Sequence, residues 1–252
     1  MGFIRAAGAF SNPVRLVLSK ALDPGGIVLY RYGPYRLFSL ESRADGVSVR
    51  ECLDEKAYHE ALKRSRPDGE GAYMNIGANI GAFDVAVRDV WGARVKGVAV
   101  EANPWTCARL ANNIYCNHFE TWVINAAVTG KEGTVPVNIG ESGPGQSVLH
   151  AAMSGGCEVR ALPLAAVPSP VPGRDVDLLK IDCEGSEYGI LEAATAADLA
   201  RFKHLVMEVH PPPPGFSRER LIAQTAAKGR FEPLVLSRKK EGGDELVFFK
   251  RP

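Results

Sequence analysis

From Ala72 onward, short apolar runs alternate with stretches of helical periodicity. Seven of the runs predict strands: AYMNIG, VKGVAVEA, TWVINAAV, DVDLLKID, HLVMEVH, FEPLVLS and ELVFFK. Several are apolar almost throughout, as is typical of parallel strands covered by helices on both faces. The alternation predicts βαβ units, and hence an α/β fold with a mostly parallel sheet. The last two runs are close together and predict an antiparallel hairpin at one edge.

The first quarter of the chain has a different pattern. The segment IVLYRYGPYRLFSLE, from Ile27, predicts two strands around Gly33 and Pro34, and therefore a hairpin. The segment RECLDEKAYHEALKRS, from Arg50, has the spacing of an amphipathic helix. We therefore expect residues 1–70 to form an N-terminal helix and β-hairpin lead-in, or cap, before a main domain over residues 71–252.

Composition narrows the class of protein. The 252 residues, 46% of them hydrophobic, are enough for one sizeable domain rather than two full ones. Thirty basic and 29 acidic residues give a net charge of +1, so we expect no nucleic-acid partner. The basic run Arg238 to Lys240 is typical of a solvated turn. Five cysteines without a CxxC pair predict free thiols in a reducing compartment, and hence a cytoplasmic location.

The N-terminus is apolar in patches but contains no predicted membrane span. Charged residues and a proline interrupt it: Arg5, Pro13, Arg15 and Lys20. Phe3, Ile4 and Phe10, with the nearby cations, leave a weak peripheral membrane contact open. The same apolar residues leave a homodimer open.

The turn GANIG joins the first predicted strand to a helix and predicts a nucleotide-like ligand. A dinucleotide site needs a glycine where this chain has Asn79, because a side chain there crowds the pyrophosphate. Asn79 can instead hydrogen-bond the amino-acid end of a nucleoside without phosphate. The spacing Asn75, Gly77, Asn79, Gly81 follows the acidic-x-G-x-G-x-G pattern of S-adenosylmethionine sites, with Asn75 in the acidic position. This favours S-adenosylmethionine over NAD.

An acidic residue is expected about twenty residues beyond such a turn, where it accepts the ribose hydroxyls. Glu101 ends the run VKGVAVE and meets this expectation. Asn103 and Pro104 follow as a helix N-cap and first turn. We expect Glu101, with the adjoining Ala102 and Asn103, to bind the cofactor.

Four segments together resemble the FkbM family of S-adenosylmethionine-dependent methyltransferases. They are MNIGANIGAF, VAVEANPWTCARLANNI, INAAV and LLKIDCEGSEYGIL, within residues 72–209. KIDCEGSE is the most specific of them. The resemblance implies a Rossmann-like class I methyltransferase fold, with a seven-stranded sheet, helices on both faces and the last strand antiparallel. It also implies O-methylation of a sugar or another small hydroxylated metabolite, with Asn125 and Ala126 near the adenine. Asn75 departs from the family, which usually has aspartate there.

Methyl transfer from a sulfonium to a hydroxyl needs in-line positioning and a group to take the proton. Because side chains alternate along a strand, Lys180 and Asp182 share one face, as do Glu208 and His210. Both pairs lie at carboxyl ends of strands, where α/β sheets bind ligands. We expect Asp182 or His210 to be the general base, with Lys180 orienting it or stabilising oxyanion charge.

Two carboxylates follow Asp182 at the start of a helix, Glu184 and Glu187, where they favour the helix dipole. We favour chemistry without a metal. If Mg²⁺ were bound, Asp182, Glu184 and Glu208 would be its ligands.

Two other classes stay open from the sequence. A dinucleotide-binding oxidoreductase would share the sheet and Glu101 but has no use for KIDCEGSE. A non-catalytic module that binds S-adenosylmethionine or scaffolds a partner would tolerate loss of Asp182. The segments ESGPGQSVLH and HPPPPGF are the expected acceptor-contacting loops.

Overall fold

The fold was analysed in a computed structural model. It describes residues 7–43, 45–138, 156–239 and 243–252. The predicted loop ESGPGQSVLH, from Glu141, lies outside these ranges, as do Phe3 and Ile4.

A seven-stranded sheet forms the centre of the fold, and each of its strands is one of the seven predicted runs. In the order in which they pair, the strands are β11 (Glu232–Arg238), β12 (Glu245–Lys250), β10 (Phe202–Val209), β9 (Val176–Ile181), β3 (Gly71–Ile76), β4 (Val95–Glu101) and β5 (Thr121–Asn125). Of the seven strands, only β12 runs in the opposite direction to the other six. The prediction of a mostly parallel sheet with an antiparallel edge hairpin is therefore confirmed.

Helices cover both faces of this sheet. The described α-helices are α1 (Pro13–Leu22), α2 (Asp45–Val49), α3 (His59–Arg64), α4 (Ala82–Trp91), α5 (Pro104–Cys116), α6 (Glu187–Ala193), α7 (Ala196–Ala200) and α8 (Arg218–Gly229). Alternation along β9 sends Leu178 into one core with α3 and α4, and Leu179 and Ile181 into another with α6 and α8. Burial on both faces explains why these strands are continuous apolar runs.

A second, three-stranded sheet was not predicted. It consists of β6 (Ala127–Thr129), β8 (Gly156–Pro163) and β7 (Gly133–Asn138). The predicted single strand TWVINAAV is therefore wrong beyond Asn125, because Ala126 turns the chain and β6 pairs with β8 instead of extending the main sheet. The strands of this small sheet lack the apolar runs that revealed the main strands, because β6 has only three residues and the central strand β8 carries Glu158 and Arg160.

The lead-in contains the predicted hairpin, β1 (Ile27–Tyr32) and β2 (Tyr35–Leu40). The predicted helix from Arg50 is wrong as one element. Residues Arg50–Asp54 form a π-helical turn, and Lys56 then takes a left-handed conformation with φ 55° before α3 begins. Side chains of the hairpin and the π turn, including Val28, Leu37 and Leu53, share a core with α4. The boundary after residue 70 stays a prediction.

Gly77 stands where β3 meets its neighbour β9. Its φ is 74°, and a Cβ on it would lie 1.8 Å from the carbonyl oxygen of Asp182. The backbone of the glycine turn and the end of β9 can approach this closely only because residue 77 has no side chain.

We expect Gly77→Ala to lower the free energy of unfolding by about 2–4 kcal/mol, since it adds both a backbone clash and an unfavourable φ. Urea denaturation measures this. Gly69→Ala is the matched control, because a Cβ there meets no atom within 4 Å, and it should change stability by less than about 0.5 kcal/mol. Equal stability of the two variants would contradict the close approach.

Candidate active site

A cavity of about 950 Å³ opens at the carboxyl ends of β3, β4, β9 and β10. The glycine turn lines it with Gly77, Ala78 and Asn79. Glu101, Ala102, Asn103 and Ala126 line the same side. The other side is lined by Tyr58, Lys180, Asp182, Glu208 and His210. The cavity therefore joins the two groups of residues that the sequence assigned separately to cofactor binding and to catalysis.

Glu101 is held at the end of β4 by two backbone donors. The N–H of Asn79 donates to its Oε2 at 2.9 Å, and the N–H of Asn103 donates to its Oε1 at 2.9 Å. Asn79 reaches this position with φ 50°, and its side-chain oxygen accepts the N–H of Ile80. Burial raises the pKa of Glu101, while the two N–H groups act in the opposite direction. A carboxylate has about four lone-pair positions, so about two stay available to a ligand.

Three residues predicted to bind cofactor do not line the cavity. Gly81 begins α4 with φ 91°, and a Cβ there would lie 3.0 Å from Leu110, so backbone conformation and packing explain this glycine. Asn125 donates its side-chain amide to the carbonyl oxygens of Glu101 and Ala102, both at 2.9 Å. Asn125 therefore fixes the backbone of Glu101 and Ala102 without lining the cavity itself.

Asn75, the third, is fully buried beneath the glycine turn. Its amide donates to Oδ2 of Asp84 at 2.8 Å. Asp84 also accepts a hydrogen bond from Tyr73, whose hydroxyl is contacted by Arg88 at 2.9 Å. Asn75 is thus paired with a carboxylate from the first turn of α4, but Asp84 is itself fully buried and does not line the cavity.

Lys180 connects the two sides of the cavity. Its ammonium group donates to the carbonyl oxygen of Gly77 at 2.8 Å and lies 3.2 Å from Oδ2 of Asp182. Burial opposes the charge of Lys180, but Asp182, together with Cys52 and Cys183, outweighs this effect and raises the lysine pKa. Burial likewise acts to raise the pKa of Asp182, yet Lys180 and then His210 lower it. Both groups are therefore charged near neutral pH.

His210 faces Asp182 from the end of β10. Its Nε2 lies 3.8 Å from Asp182 and 3.6 Å from Glu184, and its Nδ1 lies 3.1 Å from Oε1 of Glu187. Burial disfavours the charged ring, but the hydrogen bond and charge of Glu187, with the other two carboxylates, raise the pKa to about 9. An imidazolium cannot accept a proton, so this raised pKa argues against His210 as the general base near neutral pH, and the identity of the base stays a prediction.

Glu187 lies in the first turn of α6, as expected from the sequence. It is fully buried, and its two oxygens accept the backbone N–H groups of His210 and Gly185, each at 2.9 Å. Its charge is therefore directed at His210 as well as at the start of α6.

Tyr58 brings the lead-in into the site. Its hydroxyl lies 2.9 Å from Oδ2 of Asp182 and 3.2 Å from Oε2 of Glu208. The Tyr58 hydroxyl has one hydrogen and can donate it to only one carboxylate at a time. Both contacts are hydrogen bonds only when one of the two carboxyl groups carries a proton and donates it to the hydroxyl oxygen. Burial and then the charge of Asp182 raise the pKa of Glu208 to about 7, against the effect of Lys239. Glu208 is thus the carboxyl that carries this proton below neutral pH.

Lys239 closes the outer side of the cluster. Its ammonium lies 2.9 Å from Glu208, 3.2 Å from Asp244 and 3.3 Å from Glu51. The expectation that the run Arg238 to Lys240 is only a solvated turn is therefore wrong for Lys239.

Asp182, Glu208 and His210 each place a potential ligand atom within 4.8 Å of the others. Glu184, expected in a metal set, is not part of this group. Lys180 and Lys239 already lie against the two carboxylates, so their charge is compensated by protein ammonium groups. We assign no metal to the site.

Sequence analysis did not identify Tyr58, Lys239 or the ion pair between the buried Asp45 and the partly exposed Arg109. Arg109 on α5 makes a two-pronged ion pair with Asp45, at 2.7 and 3.0 Å, beside the cofactor side of the cavity. Each of these contacts joins the main sheet region to the lead-in or to the last hairpin. Local spacing holds no signal for them, because they depend on how distant segments pack.

The sheet order, the antiparallel last strand and the acidic residue at the end of β4 define a class I methyltransferase fold. The methyltransferase FkbM from Methylobacillus flagellatus KT shares this fold, with a TM-score of 0.53 and 11% identity over 83% of this chain. This chain covers 62% of that protein. Fibrillarin from Aeropyrum pernix, in complex with natively bound S-adenosyl-L-methionine, gives a TM-score of 0.48 at 13% identity, covering 89% of this chain and 82% of that one. We draw no functional argument from similarity at that level.

No curated protein matches the sequence. The model of the methyltransferase FkbM domain matches residues 75–232, which is more than half of the chain, so the chain belongs to that family. Its class is therefore methyltransferase, as the resemblance implied, and the oxidoreductase alternative is not favoured.

We expect His210 to titrate near pH 9 and Glu187→Gln to bring its pKa down towards the ordinary value of about 6.5, because the variant removes the nearest negative charge. Histidine side-chain resonances followed by NMR against pH measure this. His204, whose pKa burial lowers, is the internal control and should not move. Titration of His210 near 6.5 in the unaltered protein would contradict the arrangement.

Proposed function

We propose that this protein transfers a methyl group from S-adenosylmethionine to a hydroxyl oxygen of a small metabolite such as a sugar. The observation that carries the proposal is the single cavity shared by Glu101 and the Asp182 cluster. The test is incubation with S-adenosylmethionine and a panel of hydroxylated acceptors, with S-adenosylhomocysteine formation as the readout. No turnover on any acceptor, with the cofactor bound, would favour the non-catalytic alternative.

The cofactor side of the cavity fits a nucleoside. Glu101 has lone pairs left for the two ribose hydroxyls after accepting Asn79 and Asn103. Ala102 and Ala126 leave space for a flat ring on this side, and Gly77, Ala78 and Asn79 form the turn nearest the amino-acid end. The sulfonium of S-adenosylmethionine supplies an electrophilic methyl carbon. The acceptor oxygen forms a bond to that carbon as the carbon–sulfur bond breaks, and the hydroxyl proton must pass to the protein.

We assign that proton to the carboxylate pair Asp182 and Glu208, which Tyr58 links. Efficient general bases have a pKa close to the working pH, which Glu208 meets and which Asp182, with its lowered pKa, does not. Lys180 keeps Asp182 beside the glycine turn, and the His210 imidazolium holds its other oxygen. These groups position the reacting oxygen and stabilise the negative charge that develops on it.

The acceptor side is polar and suits a hydroxylated compound. Its lining includes the carboxylates of Glu51 and Asp244 and the stiff segment Pro211–Pro214, part of the loop HPPPPGF expected to contact the acceptor. The net charge of +1 gives no general attraction to RNA. We therefore keep the small-molecule acceptor, with no nucleic-acid partner and a cytoplasmic location, as part of the proposal.

Glu101→Ala should weaken binding of S-adenosylhomocysteine by at least about a hundredfold, since it removes two charge-assisted hydrogen bonds to ribose. Isothermal titration of the purified protein provides the value, with NAD as the competing ligand. Glu120→Ala, an exposed carboxylate just before β5, is the control and should bind normally. Unchanged affinity in the Glu101 variant would remove the ribose assignment.

The rate constant kcat/KM should follow a bell-shaped pH profile. Activity should fall as pH drops below about 7, where Glu208 gains a proton, and fall again above about 9, where His210 loses one. Glu208→Gln should remove the lower limb and reduce turnover by roughly a hundredfold.

Tyr58→Phe separates the proton pathway from cofactor binding. It should leave S-adenosylhomocysteine affinity unchanged and reduce kcat by about tenfold or more, because the link between Asp182 and Glu208 is lost. Full turnover in both Tyr58→Phe and Glu208→Gln would place the base elsewhere.

A further inference from the structure

Exposed apolar side chains are concentrated near the N-terminus. Eleven large hydrophobic residues are exposed in the part of the chain that the structure describes, and five of them lie between residues 14 and 27. We call these five the N-terminal apolar patch: Val14, Val17, Leu18, Leu22 and Ile27. Their exposed fractions run from 42% to 83%. Scattered exposed apolar residues are normal, but a cluster marks an interaction surface.

The helix α1, which carries most of the patch, is anchored to the lead-in. Among the residues of α1, only Leu16 is buried, against the core of the lead-in. The N-cap residue Asn12 donates its side-chain amide to the carbonyl of Leu29, and Gly26 donates its N–H to the carbonyl of Asp23. These bonds lay α1 along β1, so that the exposed helix side and Ile27 belong to one end of the molecule.

Cations without carboxylate partners lie beside the patch. Arg31 and Arg36 face each other across the hairpin and are both exposed, as is Arg15 on α1. Like charges directly opposite each other on two strands are destabilising. No carboxylate among the described residues forms an ion pair with any of these three arginines, whereas Lys20 is paired with Glu41 at 2.8 Å. The surface therefore complements an anionic ligand.

We propose that the N-terminal apolar patch and its arginines dock the protein on the surface of an anionic lipid membrane. Amphipathic helices lie in the interface plane, with apolar side chains among the acyl chains and cations near the headgroups. Val14, Val17, Leu18 and Leu22 supply the apolar part. Arg15, Arg31 and Arg36 supply the cations.

The helix lies on the membrane and does not cross it. No helix in the described ranges is long and apolar enough to span a bilayer. Phe10, one of the residues for which the sequence left a membrane contact open, is buried against Tyr30 and Tyr32 and takes no part.

A second copy of the chain fits the patch less well. A ten-residue helix is about 15 Å long and about 10 Å wide, so its outer side covers roughly 150 Å². Stable protein interfaces bury about 800 Å² on each partner. In a symmetric dimer the unpaired arginines of the two copies would also lie near one another, and carboxylates would be needed to offset their repulsion. Asp23 is the only acidic residue among residues 7–40, so this surface supplies few of them.

Cosedimentation with vesicles tests the proposal and needs neither cofactor nor turnover. The full chain should sediment with vesicles of about 3:1 phosphatidylcholine to phosphatidylglycerol and much less with phosphatidylcholine alone. Leu18→Asp with Leu22→Asp should weaken the partition coefficient by about a hundredfold. Arg31→Glu with Arg36→Glu should abolish the preference for the anionic vesicles, and high salt should do the same.

Leu234→Asp with Val235→Asp is the matched control. These residues are also exposed apolar side chains, at 42% and 39%, but they lie on the edge strand β11. Their replacement should leave sedimentation unchanged. Failure of the unaltered protein to sediment, or equal loss in the control, would overturn the proposal. So would a stable dimer in light scattering that Leu18→Asp dissociates, because the patch would then be a self-association surface. Circular dichroism confirms that each variant is folded.

Discussion

The site depends on the contacts that the ammonium group of Lys180 makes with Gly77 and Asp182. Lys180 is almost completely buried, and it binds the carbonyl of Gly77 and the carboxylate of Asp182 at the same time. A buried charge is costly unless it is paired and hydrogen-bonded, so this geometry is strongly specified. The absence of a side chain at Gly77 lets the two strand ends approach closely enough for the lysine to reach both. The glycine turn and the end of β9 are thereby held in one fixed relation.

The sequence predicted the parts of the fold that have local causes. The seven main strands were found because burial on both faces leaves continuous apolar runs, and Lys180 and Asp182 were found because they interrupt one of those runs with charge. Glu101 was found through its distance from the glycine turn. The small sheet was missed because its strands are short and partly polar, and the helix from Arg50 was broken by a left-handed residue that the apolar pattern does not reveal.

The site residues that were missed depend on contacts between distant segments. Tyr58 meets Glu208 across 150 positions of sequence, and Lys239 meets Glu51 across 188. His210 was identified as functional, but its charge state follows from the burial of Glu187, which a first-turn glutamate does not disclose. Sequence spacing could therefore indicate where the chemistry lies, whereas the protonation states of its members required the packed structure.

The two walls of the cavity differ in how far apart their residues lie in the sequence. The cofactor side comes from consecutive elements between Gly77 and Ala126, while the other wall gathers Glu51, Tyr58, Glu208 and Lys239 from segments that precede and follow them. Selection can therefore act on the two walls separately. Under the proposed function, substitutions in the lead-in or in the last hairpin would change the acceptor wall and leave the turn around Gly77 and Glu101 in place. Under the proposed function, such an architecture would let one nucleoside site serve different acceptors by exchange of its flanking segments, with no redesign of the sheet.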